Sequence, residues 1–426
     1  MNDSSPVQNS LWKNQTFTRM FTSYSLSSFG DWFDLTALFI LFSFVWKAEP
    51  FMLALVPITV AVPSIFLGQV AGVIADRMNK KRLMIATDFL RAGLTIALFF
   101  APGPYWALPI MFVRATAGIF NTPAQQALLR TTVEEEDLLQ ANTFIGMVFQ
   151  VSKIVAPFLG SFVVSLFSLQ TCFIINAITF TLSGIILLTI KRIPEEEKNI
   201  AESVSKYSVI QSWLQGWRAL LTTKMLLFGI IFYLFGYAGL YLVEAQLSIL
   251  LREVTPNLPE IVGYVIATVG LGTFIVGGIM TRKKEIVSYG LPIAGGNLLI
   301  GMAFIGLGLF KTGDLIVWLF AFGLLIGCGT GMSMIAFSYL RQKETPVEMV
   351  GRITGITNSL ISTVIIIGPI SGSLLVQHFG VSTAFVVAGG FLLLLGTVGL
   401  IFRSMIWEKQ SNVSKDENKE MMGGKA

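Results

Sequence analysis

Charge is scarce in this chain. Only 13% of its 426 residues are charged and a single histidine, His378, is present, whereas ordinary soluble domains are about a quarter charged. A chain 54% hydrophobic with a mean hydropathy of +0.71 is not designed to be surrounded by water. Cysteine is nearly absent: Cys172 and Cys328 lie far apart within apolar runs, which excludes a disulfide framework and a thiolate metal cluster. No Gly-x-x-x-x-Gly-Lys-[Ser/Thr] loop occurs, so ATP is not expected as the direct energy source, and no nucleophile elbow points to an enzyme. Basic patches interleaved with aromatics on a soluble face are missing, so the net charge of +5 is not read as a nucleic-acid footprint. No cofactor and no metal are expected.

What is present is apolar length. Runs of about 20 residues, enough to cross a hydrocarbon core, cover residues 17–46, 51–75, 83–101, 106–128, 140–166, 171–190, 225–250, 261–280, 287–310, 315–339, 354–377 and 384–403. Most of the 30 Lys and Arg side chains fall in the two tails and in one alternate set of connections, whereas the opposite set holds Lys47, Arg252 and Lys311. Positive side chains are retained on the cytoplasmic side, so both termini are expected there, in a multi-pass protein of the cytoplasmic membrane. The first run is too long for a removable signal peptide.

Residues 191–224 form the longest internal polar stretch and divide the chain. The expected organisation is a tail (1–16), a six-helix half (17–190), this linker, a second half (225–403) and a second tail (404–426). Within the linker Val209, Ile210, Trp213, Leu214, Trp217, Leu220 and Leu221 recur at helical spacing, predicting an amphipathic helix at the interface. The halves repeat: residues 138–167 align with 350–379 at constant offset, matching Pro157 to Pro369, Gly160 to Gly372, Ser161 to Ser373 and Phe167 to Phe379.

Against this apolar background a few polar residues stand out. Asp31 and Asp34, three apart, share a helical face near the middle of the first run, where a charge costs at least about 2.5 kcal/mol on insertion scales. They must face protein or water. Arg114 in the fourth run and Lys153 in the fifth are isolated cations of the same half. Tyr233, Tyr237, Tyr241 and Glu244 form one stripe through the seventh run, a candidate binding surface. Asn121, Gln125, Gln150, Gln246 and Asn358 add polar groups within runs, either as cavity lining or as helix packing.

The stretch GVIADRMNKKRLM (72–84) after the second run resembles the loop motif of the major facilitator superfamily, fitted by Gly72, Ile74, Ala75, Asp76, Arg77, Lys80 and Lys81, with Asn79 where the family has Gly. Arg114 with Gly118 resembles its fourth-helix pattern. The fifth-run APFLGS departs from the antiporter pattern at Ala156 and Ser161, while GPISGS, with Gly368, Pro369 and Gly372, fits it better. The resemblance implies an all-α integral membrane fold, twelve transmembrane helices in two pseudo-symmetric six-helix bundles around a central cavity.

Further roles follow from the resemblance. Gly68, Gly72, Asp76, Arg77, Lys80, Lys81 and Arg352 would form a conformational latch, in which Gly68 and Gly72 permit backbone contact. Asp31, Asp34 and Glu244 would be proton-coupling acids near Arg114 and Lys153, a fixed salt bridge being the alternative reading. Pro157, Gly160, Gly368, Pro369 and Gly372 would bend and pack helices. Within the superfamily the chain is most similar to the macrolide-efflux type of drug:proton antiporter, on stretches such as FNTPAQQALL and EMVGRITGITNSL. That implies a monomer in the lipid bilayer exporting an amphipathic small-molecule substrate in exchange for protons. A lysophospholipid or glycolipid cargo is one alternative, and a non-transporting membrane sensor or receptor is another.

Overall fold

The computed structural model describes residues 11–190, 209–280, 288–345, 349–403 and 407, apart from the side chains at 69, 70, 72, 73, 76, 77, 209–214, 216, 350 and 351. The calls on Gly72, Asp76 and Arg77 as latch side chains therefore lie outside the described residues. The long elements are α1 (Gln15–Ile40), α2 (Pro50–Arg77), α3 (Lys80–Phe99), α4 (Pro104–Thr132), α5 (Leu138–Leu166), α6 (Leu169–Thr189), α7 (Val209–Thr222), α8 (Lys224–Glu244), α9 (Leu247–Val254), α10 (Ile261–Met280), α11 (Gly290–Leu309), α12 (Val317–Glu344), α13 (Val350–Phe379) and α14 (Val381–Ile401). No strand occurs among the described residues.

Local chemistry sets the helix ends. Asn14 caps α1, its side-chain oxygen accepting from the Thr16 and Phe17 amides at 3.0 and 3.1 Å. Pro50 and Pro104 open α2 and α4, where a missing N–H costs nothing. Asn79, which stands where the resembled motif has Gly, is not in the left-handed conformation. Its backbone is extended at φ −65°, and its side chain caps α3 by accepting from the Arg82 amide at 3.0 Å.

Among the described residues, ten helices are long and apolar enough to cross a membrane by length and composition. α3 and α4, of 20 and 29 residues, also have spanning length. They are less apolar because α3 opens on Lys80, Lys81 and Arg82 and carries Asp88 and Arg91, and because α4 holds Arg114, Asn121 and two glutamines. One expected run is divided: 225–250 turns at Ala245 and Gln246 into α8 and the short α9.

α1 to α6 form one bundle, with α1 against α5 and α6, α3 against α4 and α6, and α2 against α4. In the other, α8 packs on α13 and α14, α11 on α12 and α14, and α10 on α12. Two seams join them, α2 with α13 and α5 with α10. Backbone contacts show the repeat. A Cβ on Gly160 of α5 would lie 2.9 Å from the Phe33 carbonyl oxygen of α1, and one on its counterpart Gly372 of α13 would overlap the Leu242 carbonyl of α8. Gly368 beside it lies against Tyr241, and Pro157 and Pro369 are buried within α5 and α13. Gly68 has nothing within 4 Å of its Cβ position, which corrects the expectation of a backbone contact there.

The buried apolar side chains reveal how the bundles meet. At the end away from the termini they form one cluster that runs through both, including Phe42, Leu53, Leu98, Phe173, Val243, Leu250, Val262 and Phe385. Toward the termini they divide. One cluster, with Phe17, Met84 and Leu128, belongs to the first bundle, and another, with Leu226, Ile293, Phe337 and Trp407, belongs to the second. The bundles thus share one apolar core at the end away from the termini and have separate cores at the other.

Candidate functional site

The charges of the first bundle converge from three helices. Arg114 of α4 pairs with Asp34 of α1, its second nitrogen lying 3.4 Å from the other carboxylate oxygen, and also reaches the Thr95 hydroxyl of α3 at 3.3 Å. The Asp34 side chain has no solvent exposure. Asp31, one turn earlier, pairs with Arg91 of α3 and keeps 42% of its side-chain surface exposed. The guanidinium of Arg91 lies 4.1 Å from the centre of the Phe180 ring, a cation–π contact that holds it against α6. Buried ion pairs of this kind persist at bilayer depth because each charge is matched and the chain forms its own polar interior.

Two members of this network, Asp88 and Arg91, were missed by the sequence reading. They stand three apart within the apolar run 83–101, the same signal that marked Asp31 and Asp34, close behind the basic residues 80–82. Asp88, 1% exposed, accepts from the Ser183 hydroxyl of α6 at 2.5 Å and from the Asn121 amide of α4 at 3.1 Å. Asn121 thus ties α4 to α3, donating also to Thr87 at 3.1 Å, and is engaged in packing rather than free to meet a ligand.

Lys153 does not join the two aspartates. It is exposed on α5, its nitrogen 5.4 Å from the Trp32 ring centre, and Glu244 is exposed at the end of α8. Tyr233, Tyr237 and Tyr241 are half-buried along α8. Tyr233 stacks on Phe337 of α12 with ring centres 4.1 Å apart, and the Tyr237 hydroxyl donates to that of Tyr241 at 3.1 Å. Gln150 is exposed on α5. Gln125 is buried inside the first bundle. Asn358 lies in a cleft of about 490 Å³ at the α2–α13 seam, together with Phe66, Ser359, Ser362 and Thr363.

Gln246 corrects the cavity-lining assignment. It is fully buried at the end away from the termini, where its amide donates to the Pro50 carbonyl of the other bundle at 3.1 Å. Arg252 of α9 reinforces the join by donating to the Ser43 carbonyl at 2.6 Å, in the π-helical turn Leu41–Val45 that extends α1. At the opposite end the expected latch cations are otherwise occupied. Lys81 donates to the Leu188 and Ile190 carbonyls that end α6, and Arg352 donates to Gln215 of α7 at 2.6 Å. Lys80 begins α3.

Two bundles joined by two seams, an ion-pair network inside the first and a profile match to the Major Facilitator Superfamily over residues 20–369 decide the family. The chain belongs to the major facilitator superfamily. This superfamily member is 29% identical over 422 residues to the MFS-type transporter YfiS of Bacillus subtilis, covering 98% of the chain and 100% of the relative. It is 24% identical to macrolide efflux protein A of Streptococcus pyogenes over 350 residues, 79% of the chain and 84% of that protein. Among solved structures it is similar in fold to a bacterial homologue of the human lysosomal transporter Spinster in an inward-facing, occupied conformation. The TM-score is 0.72 at 13% identity, covering 93% of the chain and 97% of that structure.

Proposed function

We propose that this superfamily member exports amphipathic small molecules, drug-like or macrolide-like, across the cytoplasmic membrane by proton antiport. The observation that carries the reading is the buried ion-pair network of α1, α3 and α4, in which Asp31 remains half-exposed while Asp34 is sealed. A carboxylate at bilayer depth is costly, and a pair open to water on one side can exchange its partner for a proton or a substrate group. Transport is by alternating access. With the termini in the cytoplasm, the present arrangement is open inward, and rocking of the bundles about their seams exposes the same network to the other side. Asp31, Asp34 and Glu244 are the coupling acids, and Lys153 is the cation that answers Glu244 across the cavity. Tyr233, Tyr237 and Tyr241 offer the broad aromatic face on which an apolar substrate lies. The names of the macrolide efflux relatives agree with an exporter.

The test is accumulation of erythromycin and of ethidium in cells expressing the chain, with and without a protonophore. Expression is expected to lower accumulation of at least one compound, and the protonophore or Asp34→Asn to restore it. Unaltered accumulation of both compounds, or export indifferent to the protonophore, overturns the reading.

One observation favours a second cargo. The cleft at the α2–α13 seam, with the exposed Phe66 and Ile367 beside Asn358 and Ser359, offers apolar and polar surface side by side between helices, as a lysophospholipid or glycolipid needs. Movement of a labelled lysophospholipid in vesicles containing the protein distinguishes it from drug export.

A further inference from the structure

The ion-pair network does not balance. Around the contact of α1, α3, α4 and α6 stand three carboxyl groups, Asp31, Asp34 and Asp88, and two guanidinium groups, Arg91 and Arg114; α6 brings no charged side chain to it. Arg114 is committed to Asp34, and Arg91 to Asp31. Asp88 is left with neutral donors, although it is as buried as any residue of the core. An ionised carboxylate sealed from water with no cation bonded to it is more costly than a neutral acid.

Its surroundings suit both states. Ser183 lies 2.5 Å from Asp88, 2.7 Å from the Ser23 hydroxyl and 2.9 Å from that of Ser27, which donates to it. A hydroxyl can donate or accept by rotating. Ser183 can therefore donate to an ionised Asp88, or accept from a protonated one and donate onward to Ser23. A second feature points the same way. Arg91 sits one helical turn from Asp88, and its Nε, buried, has no hydrogen-bond partner. A guanidinium with an unused donor between two acids is placed to change acids.

We propose that Asp88 is a proton-binding site, occupied while Arg91 is held by Asp31 and emptied when Arg91 leaves Asp31 to pair with Asp88. On emptying, the carboxyl O–H bond breaks, the electron pair stays on the carboxylate and the proton passes to water. The site thus adds Asp88 to the coupling acids as one place where an exchanged proton of the antiport is held, and the inference rests on that reading of the function. Asp31, the exposed member, is where solvent or substrate makes Arg91 available.

The test uses purified full-length protein in liposomes and infrared spectroscopy of the protonated-carboxyl C=O stretch at neutral pH, which requires no substrate. The wild type is expected to show this band, Asp88→Asn to lose it, and Ser183→Ala, which leaves the acid in place, to keep it. Asp31→Asn is expected to lose the band as well, although Asp88 is intact, because it frees Arg91. Should Asp88→Asn not fold, Asp88→Glu serves: the band is expected to move in frequency. A band absent from the wild type, retained in Asp88→Asn, unmoved in Asp88→Glu or retained in Asp31→Asn overturns the proposal. Protonophore-insensitive export by the wild type overturns the antiport reading instead and leaves the band itself unaffected, so the two failures are distinguishable.

Discussion

At the scale of single residues, the paired aspartates differ in what their removal leaves behind. Asp34→Asn strands the Arg114 guanidinium in a site without solvent, and breaking a buried pair in this way costs about 3 kcal/mol or more. The thermal unfolding midpoint in detergent is expected to fall clearly, and Asp34→Asn with Arg114→Gln to recover part of the loss. Asp31→Asn is expected to shift the midpoint less, since Asp31 is half-exposed. The presence of acids on the first helix was legible from residues 27–35 alone, because a carboxylate in an apolar run must face protein or water. Of their partners, Arg114 was expected near them from the family resemblance and lies on Asp34, whereas Arg91 was not read from the sequence. Arg91 is 60 residues from Asp31 and Arg114 is 80 from Asp34, so the pairing is a property of which helices touch. Asp88 lies within the expected run 83–101, close behind three basic residues at the start of α3 that belong to the loop motif.

At the scale of elements, the fifth helix of each bundle rests on the first through glycine, and the fit leaves no room for a methyl group. Gly372→Ala places Cβ on the Leu242 carbonyl, where neither backbone can yield, and overpacking costs about 1–3 kcal/mol. Lower yield and a lower unfolding midpoint are expected. Gly68→Ala is expected to leave both unchanged, because nothing lies within 4 Å of that position. The repeat itself was readable in the sequence, since Gly160 and Gly372 align along with their prolines. The turn after α8 was not, because Glu244, Ala245 and Gln246 contain neither Gly nor Pro and the apolar pattern resumes at once. α3 and α4 were legible as the runs 83–101 and 106–128, although they are more polar than the other spanning helices and form polar contacts with neighbouring helices.

At the scale of the molecule, the two bundles are held together away from the termini by a shared apolar cluster and by a few polar contacts across it. Arg252→Ala removes the donor to Ser43 and Gln246→Ala the donor to Pro50, each the loss of one hydrogen bond, worth about 1 kcal/mol. A loss of this size is enough to change a two-state population several-fold. Spin labels placed on the α1 and α9 ends are expected to report a larger share of long distances in the double variant. An unchanged distance distribution would show that the apolar cluster alone holds that end shut.

The α5–α10 seam has a mechanical consequence. Gly263, near the start of α10, presses on the Pro157 carbonyl and the Ser161 hydroxyl, so this end of the helix is a fulcrum rather than a sliding surface. With α10 about 30 Å long at 1.5 Å per residue, a tilt of about 10° about that point sweeps its free end through about 5 Å. A small angular change at a tight pivot is thereby geared into a displacement as wide as a helix turn, and widening the pivot would blunt the lever before any charged group had been touched.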